Sequence, residues 1–108
     1  MAKLAIVVRF QFIGIHSWPA APAGPEDYLR YPHRHVFHVE ATKLVDHEER
    51  DIEFIGFKLA MQEYVSDIGL EGPHTMSCET MARGLLAHFN LSKCRVFEDD
   101  ENGAEVTQ

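Results

Sequence analysis

Ser17–Pro32 holds four of the chain's five prolines (Pro19, Pro22, Pro25 and Pro32) together with Gly24. Proline fixes φ and has no N–H to donate, so this stretch can belong to no helix interior or sheet ladder. It is a long loop, and it divides two β-rich runs. Lys3–His16 reads KLAIVVRFQFIGIH, rich in Ile, Val and Phe and without a helix cap, and His33–Val45 reads HRHVFHVEATKLV before the acidic turn DHEER. Both are expected to be strands. A structureless loop of such length inside a small domain usually serves a site.

Beyond Asp51 the period changes. Ile52, Ile55, Leu59 and Tyr64 or Val65 recur at helical spacing, with Asp51 as the expected N-cap of a helix running to about Ser66. Gly69, Gly72 and Pro73 break the pattern, and Ser77 with Glu79 opens a second helix carrying Met81, Leu85, Leu86 and Phe89 and ending near Asn90. Cys94–Glu98 reads as a short strand, Asp99–Gly103 as a tight turn, and Ala104–Val106 as its return. The expected order is ββααββ in one domain spanning residues 1–108, the size of a single core.

Composition excludes several functions. A formal charge of −7 argues against a nucleic-acid partner held by counterion release. No apolar run reaches the roughly 18 to 20 residues of a membrane span, and Met1–Phe10 has no signal-peptide h-region. The expectation is a soluble, cytoplasmic protein with no membrane partner. Cys78 and Cys94 are too few for a disulfide framework and are expected to be reduced thiols.

Seven histidines stand out. On a strand His33 and His35 project to one side while Arg34, Val36 and His38 project to the other. Phe10, Phe12, Gly14 and His16 share a face, so an antiparallel partner would bring His16 beside the pair. Three neutral imidazoles with an open fourth position suit catalytic zinc. Exposed cross-strand histidines with no ligand role are the competing explanation. His38 faces the wrong side, His47 sits in an acidic turn and His88 lies on a helix, so none of these is expected to be a ligand.

FQFIGIH at Phe10–His16, PHRHVFHVEA at Pro32–Ala41, DIEFIGFK at Asp51–Lys58, SCETMARGLL at Ser77–Leu86 and CRVFEDDENGAEV at Cys94–Val106 together resemble the 6-pyruvoyl-tetrahydropterin and 6-carboxy-tetrahydropterin synthase family. The resemblance implies the tunnelling fold, an α+β fold of order ββααββ with a four-stranded antiparallel sheet and two helices on one face. Subunits of that family close their sheets into barrels, so a homo-oligomer, trimer or hexamer, is implied. Zinc would be held by His16, His33 and His35, and Glu98 would anchor the pterin ring. A carboxylate can take two parallel N–H bonds from an amino-pyrimidinone edge. Ser77 and Cys78 match the segment that touches the pterin, where Ser77 is equally fit to cap the helix.

Three departures bear on catalysis. Leu29 stands where the family's enzymes carry a proton-transfer cysteine, and leucine moves no proton. The Asp-His pair between the family's helices has no counterpart in Ser66–Met76, where Asp67 and His74 are the candidate catalytic substitutes. Arg34 replaces the central glycine of H-G-H. Losing a positioned acid or base typically costs about 10² to 10⁴ in rate. One expectation is therefore a zinc-dependent synthase-like lyase acting on a pterin or dihydroneopterin-triphosphate-like substrate, with Tyr28, Tyr31, Asp67 or His74 moving protons. The alternative is a non-catalytic protein that uses the pocket to capture a pterin, guanine nucleotide or related small molecule. A cupin-type dioxygenase, suggested by H-x-H alone, needs a jelly roll of about eight strands, which the two helices oppose.

Overall fold

A computed structural model describes residues 2–108. The chain forms β1 (Ala5–His16), a 3-10 turn (Asp27–Arg30), β2 (His33–Leu44), α1 (Phe54–Asp67), α2 (Cys78–Phe89), β3 (Lys93–Phe97) and β4 (Gly103–Thr107). The strands make one antiparallel sheet in the order β1-β2-β3-β4, with both helices on one face. Order and topology match the tunnelling-fold pattern.

Period-two alternation sets the core. Val8 and Phe10 of β1, Phe37, Val39 and Ala41 of β2, and Cys94 and Val96 of β3 are buried in register on the inner face. Met61 and Val65 of α1 and Met81, Ala82 and Leu85 of α2 close over them. The outer face carries a charge row across all four strands, Arg9–Glu40–Arg95–Glu105, in direct cross-strand register. Arg9 Nε meets Glu40 Oε2 at 2.8 Å, and Arg95 Nε meets Glu105 Oε1 at 3.3 Å.

Helix α1 departs from its expected register. Glu53, not Asp51, caps it, accepting from the N–H groups of Ile55 and Gly56. Asp51 instead accepts the Asp46 N–H at 2.8 Å and closes the preceding turn. The buried stripe is Met61 and Val65 with Phe57 and Tyr64 half-buried, while Ile55 and Leu59, expected inside, are exposed. Phe57, Met61, Tyr64 and Val65 also recur at helical spacing, and apolar residues on two faces leave the period ambiguous. Helix α2 keeps its expected ends: the Ser77 hydroxyl accepts the Thr80 N–H, and Asn90 closes the helix with φ of 51° in the left-handed region.

The connection between the helices runs along the end of β1. The Ile15 N–H donates to Glu71 O, the His74 N–H to Ile15 O, and the Ser17 N–H to His74 O. Gly72, with φ of +85°, permits this approach, because a Cβ there would lie 2.1 Å from Ile15 O.

Candidate metal centre

Register places the three histidines together. His16 pairs with His33 and Gly14 with His35 across β1 and β2, and all three rings rise from the inner face. Ring centroids are 4.6 Å apart for His16–His33, 5.2 Å for His16–His35 and 4.9 Å for His33–His35. One ligand nitrogen from each lies within 4.8 Å of the other two, within reach of one ion. Phe37 packs edge-on beneath His16 and His35 at 5.1 and 5.5 Å. Gly14 makes room for that ring, since a Cβ there would sit 2.8 Å from it.

The backbone decides where the ring protons reside. His16 Nδ1 is 2.9 Å from Met76 O, and His33 Nδ1 is 2.8 Å from Tyr31 O. A carbonyl can only accept, so each Nδ1 carries the proton and donates, leaving the lone pair of the neutral ring on Nε2. Carbonyls behind ligating imidazoles fix tautomer and orientation in just this way. Nε2 of His16 and of His35 is buried without a hydrogen-bond partner. Burial, opposed by the attraction of Glu98 and reinforced by His33 and His16, holds His35 below the ordinary histidine range, favouring its neutral form. Buried nitrogens left unpaired are costly unless something coordinates them. The residues present fit a metal ion.

The cluster opens on a cleft of about 530 Å³ lined by His16, Ser17, Trp18, Leu29, His33, Thr75, Met76, Ser77, Cys78, Glu79, Glu98, Asn102 and Gly103. Glu98 Oε2 lies 3.4 Å from His35 Nε2, and Cys78 Sγ lies 4.0 Å from Glu98 Oε1. The β3–β4 turn presents Glu98: Asp99 Oδ1 accepts the N–H groups of Glu101 and Asn102, and the Glu98 N–H donates to Asn102 O at 3.0 Å. These bonds, first that from Glu101, hold the Asp99 carboxyl below the usual carboxylate range. Burial, then the fields of Glu98, Glu79 and Asp99, push the Cys78 thiol up to about 12. Cys78 is therefore a protonated thiol at neutral pH.

His74 sits beside the cluster, its ring 6.0 Å from that of His16, but outside the cleft lining. Its Nε2 donates to Leu70 O, and its Nδ1 accepts the Met76 N–H, both at 3.0 Å. Burial lowers its pKa, against the opposing bond to Leu70. Both nitrogens are engaged, so the ring orders the segment that supplies Met76 O. Asp67 is the exposed last residue of α1 and does not line the cleft. His38 lies near Asp100 on the outer face, His47 beside Asp51, and His88 stacked on Tyr64 at 3.8 Å. Arg34 alternates to the outer face.

Sequence reasoning missed three contributors. The carbonyls of Met76 and Tyr31 carry no side-chain signature; only the tertiary course of two loops brings them to His16 and His33. Trp18, next but one after His16, had a readable signal as the chain's one tryptophan in a loop expected to serve a site.

No protein-family model matches this chain, and no curated protein matches it. Its tunnelling-fold topology and its three-histidine cluster are together consistent with the scaffold of the pterin-synthase superfamily.

Proposed function

We propose that this chain is a zinc-binding protein of the pterin-synthase kind, a single domain over residues 1–108, which takes a pterin or dihydroneopterin-triphosphate-like molecule into the cleft. One observation carries the reading: the three-histidine cluster opens on the same cleft that Glu98 lines. His16, His33 and His35 would hold the ion, which supplies Lewis acidity toward a ligand oxygen when bound. Glu98 would accept the paired N–H groups of the ring edge, with Ser77 and Cys78 flanking it. The Ser77 hydroxyl also caps its helix. Of the candidates for proton transfer, Asp67 and His74 both lie outside the cleft lining, and the His74 ring nitrogens are engaged with Leu70 O and the Met76 N–H. Copies would join through the free edges of β1 and β4 into a trimer or hexamer.

Capture without turnover is the second reading. It is favoured by Leu29, which lines the cleft where the family's thiolate would act, and by the engaged ring of His74. Zinc-loaded protein incubated with dihydroneopterin triphosphate separates the two: triphosphate release supports the synthase-like lyase, and binding of a pterin without release supports capture. Glu98→Ala should weaken pterin binding roughly 30-fold or more, the loss of a half-buried charged partner that would be covered by the bound ring. Equal affinity of wild type and Glu98→Ala for every pterin tested would remove the ring anchor and the reading with it.

A further inference from the structure

His74 stands outside the set of three ligands, yet its contacts converge on one of them, His16. Its backbone brackets that residue: the His74 N–H donates to Ile15 O and His74 O accepts the Ser17 N–H, both at 3.1 Å, which makes a parallel bridge between His16 and His74 at the end of β1. Its ring spans the turn from Leu70 to Met76. Nδ1 accepts the Met76 N–H at 3.0 Å, so Nε2 carries the ring proton and donates to Leu70 O at 3.0 Å. Met76 is thereby held at its N–H by His74 and followed directly by Ser77, the cap of α2. Its carbonyl accepts from His16 Nδ1 at 2.9 Å.

We propose that His74 is a positioning residue of the metal centre: its ring fixes the Met76 backbone, and Met76 O in turn fixes His16 with the proton on Nδ1 and the lone pair on Nε2. The inference rests on the zinc-binding part of the reading above and is independent of the pterin. Either nitrogen of a neutral imidazole can carry the proton until a hydrogen bond selects one. A proton on His16 Nε2 would block the one nitrogen of that ring with no other partner. His33 finds its carbonyl two residues away, whereas His16 takes one from 60 residues on, so His16 is the ligand that needs a distant segment held in place. Met76 lies in no helix or strand that would hold it. The bond to the His74 ring does so instead, and a ring with both nitrogens engaged in this way has none free to carry a proton to a ligand.

Zinc affinity, measured by competition with a chelator, should fall about 10- to 100-fold in His74→Phe, the usual effect of removing a group that orients a metal ligand from behind. His74→Asn should retain most of the wild-type affinity, because its side-chain oxygen can accept the N–H two residues on, as in an Asx turn. A ring that merely filled space would be replaced better by Phe than by Asn, and that reverse order would overturn the proposal. In the zinc-loaded wild type, long-range proton–nitrogen correlation spectra should show His16 bound through Nε2 with its proton on Nδ1, and His74 protonated on Nε2 alone. These spectra need only the wild type, so they decide even where His74→Phe does not fold. His16 bound through Nδ1, a proton on His74 Nδ1, or equal zinc affinity in wild type and His74→Phe would overturn the positioning role while leaving the zinc reading standing. A wild type that takes up no zinc would overturn the zinc reading, and the positioning role with it.

Discussion

Two short bonds to backbone carbonyls orient two of the three histidines of the candidate metal centre. Met76 O and Tyr31 O take the Nδ1 protons of His16 and His33 and thereby direct two Nε2 lone pairs to one place. The same attention to protons separates the thiols from the imidazoles. Burial pushes Cys94 up to about 12, and burial with acidic neighbours does the same for Cys78. At pH 8 only about one such thiol in ten thousand is ionised, against about one in ten for a free thiol. Both cysteines should therefore react with a disulfide reagent much more slowly in the native protein than in urea. A thiol whose pKa is raised by folding contributes stability that is fully present below its ordinary value near 9 and is lost as the pH rises toward about 12. The urea midpoint should accordingly fall across that window, and by less in Cys94→Ala. Rapid native-state labelling of Cys78 would show it to be a thiolate instead.

At the scale of elements, the β1–β2 pair is the part most open to reading from sequence. Alternation of apolar and polar residues sets which side chains share a face, and an antiparallel partner then puts His16 opposite His33. Helix α2 was equally legible because Ser77, Met81, Leu85 and Asn90 all agree on its limits and its face. Helix α1 was not, because Ile55 and Leu59 offer an apolar pair as regular as the buried Met61 and Val65 with the half-buried Phe57. Its start was misread because an aspartate two residues before Glu53 has the stronger intrinsic capping preference. The course of the 71–76 segment along β1 is set by Gly72 and the bonds to Ile15, with no local pattern to announce it. Gly14 links this scale to the site. Gly14→Ala should press on the Phe37 ring beneath His16 and His35 and destabilise the fold by about 1 to 3 kcal/mol, the usual range for overpacking. Metal affinity should fall in the same variant. An unchanged melting temperature and unchanged zinc content would mean that the sheet accommodates the methyl group elsewhere.

Over the whole molecule, a four-stranded sheet leaves β1 and β4 as free edges, and one face carries exposed Val7, Ile13, Ile15 and Val36. Edges and apolar faces of this kind invite pairing between subunits. The charge row ends in Arg9 on one edge and Glu105 on the other, so a second copy joining β4 to β1 would continue the alternation. Light scattering at micromolar concentration should report a trimer or hexamer. Arg9→Glu should weaken it, and a wild-type monomer would contradict the proposed assembly. The metal centre is a property of the whole fold as well, because its ligands lie on two strands and their carbonyl partners on two separate loops. Zinc that binds only the folded state must raise the melting temperature by mass action. Its binding should weaken as the pH falls below about 6, where protons compete for the imidazoles. The decisive measurement is elemental analysis of the purified, zinc-reconstituted chain beside the His33→Ala/His35→Ala double variant. One zinc per chain in the wild type and none in the variant is the expected result. No metal in the wild type, or equal metal in both, would contradict it.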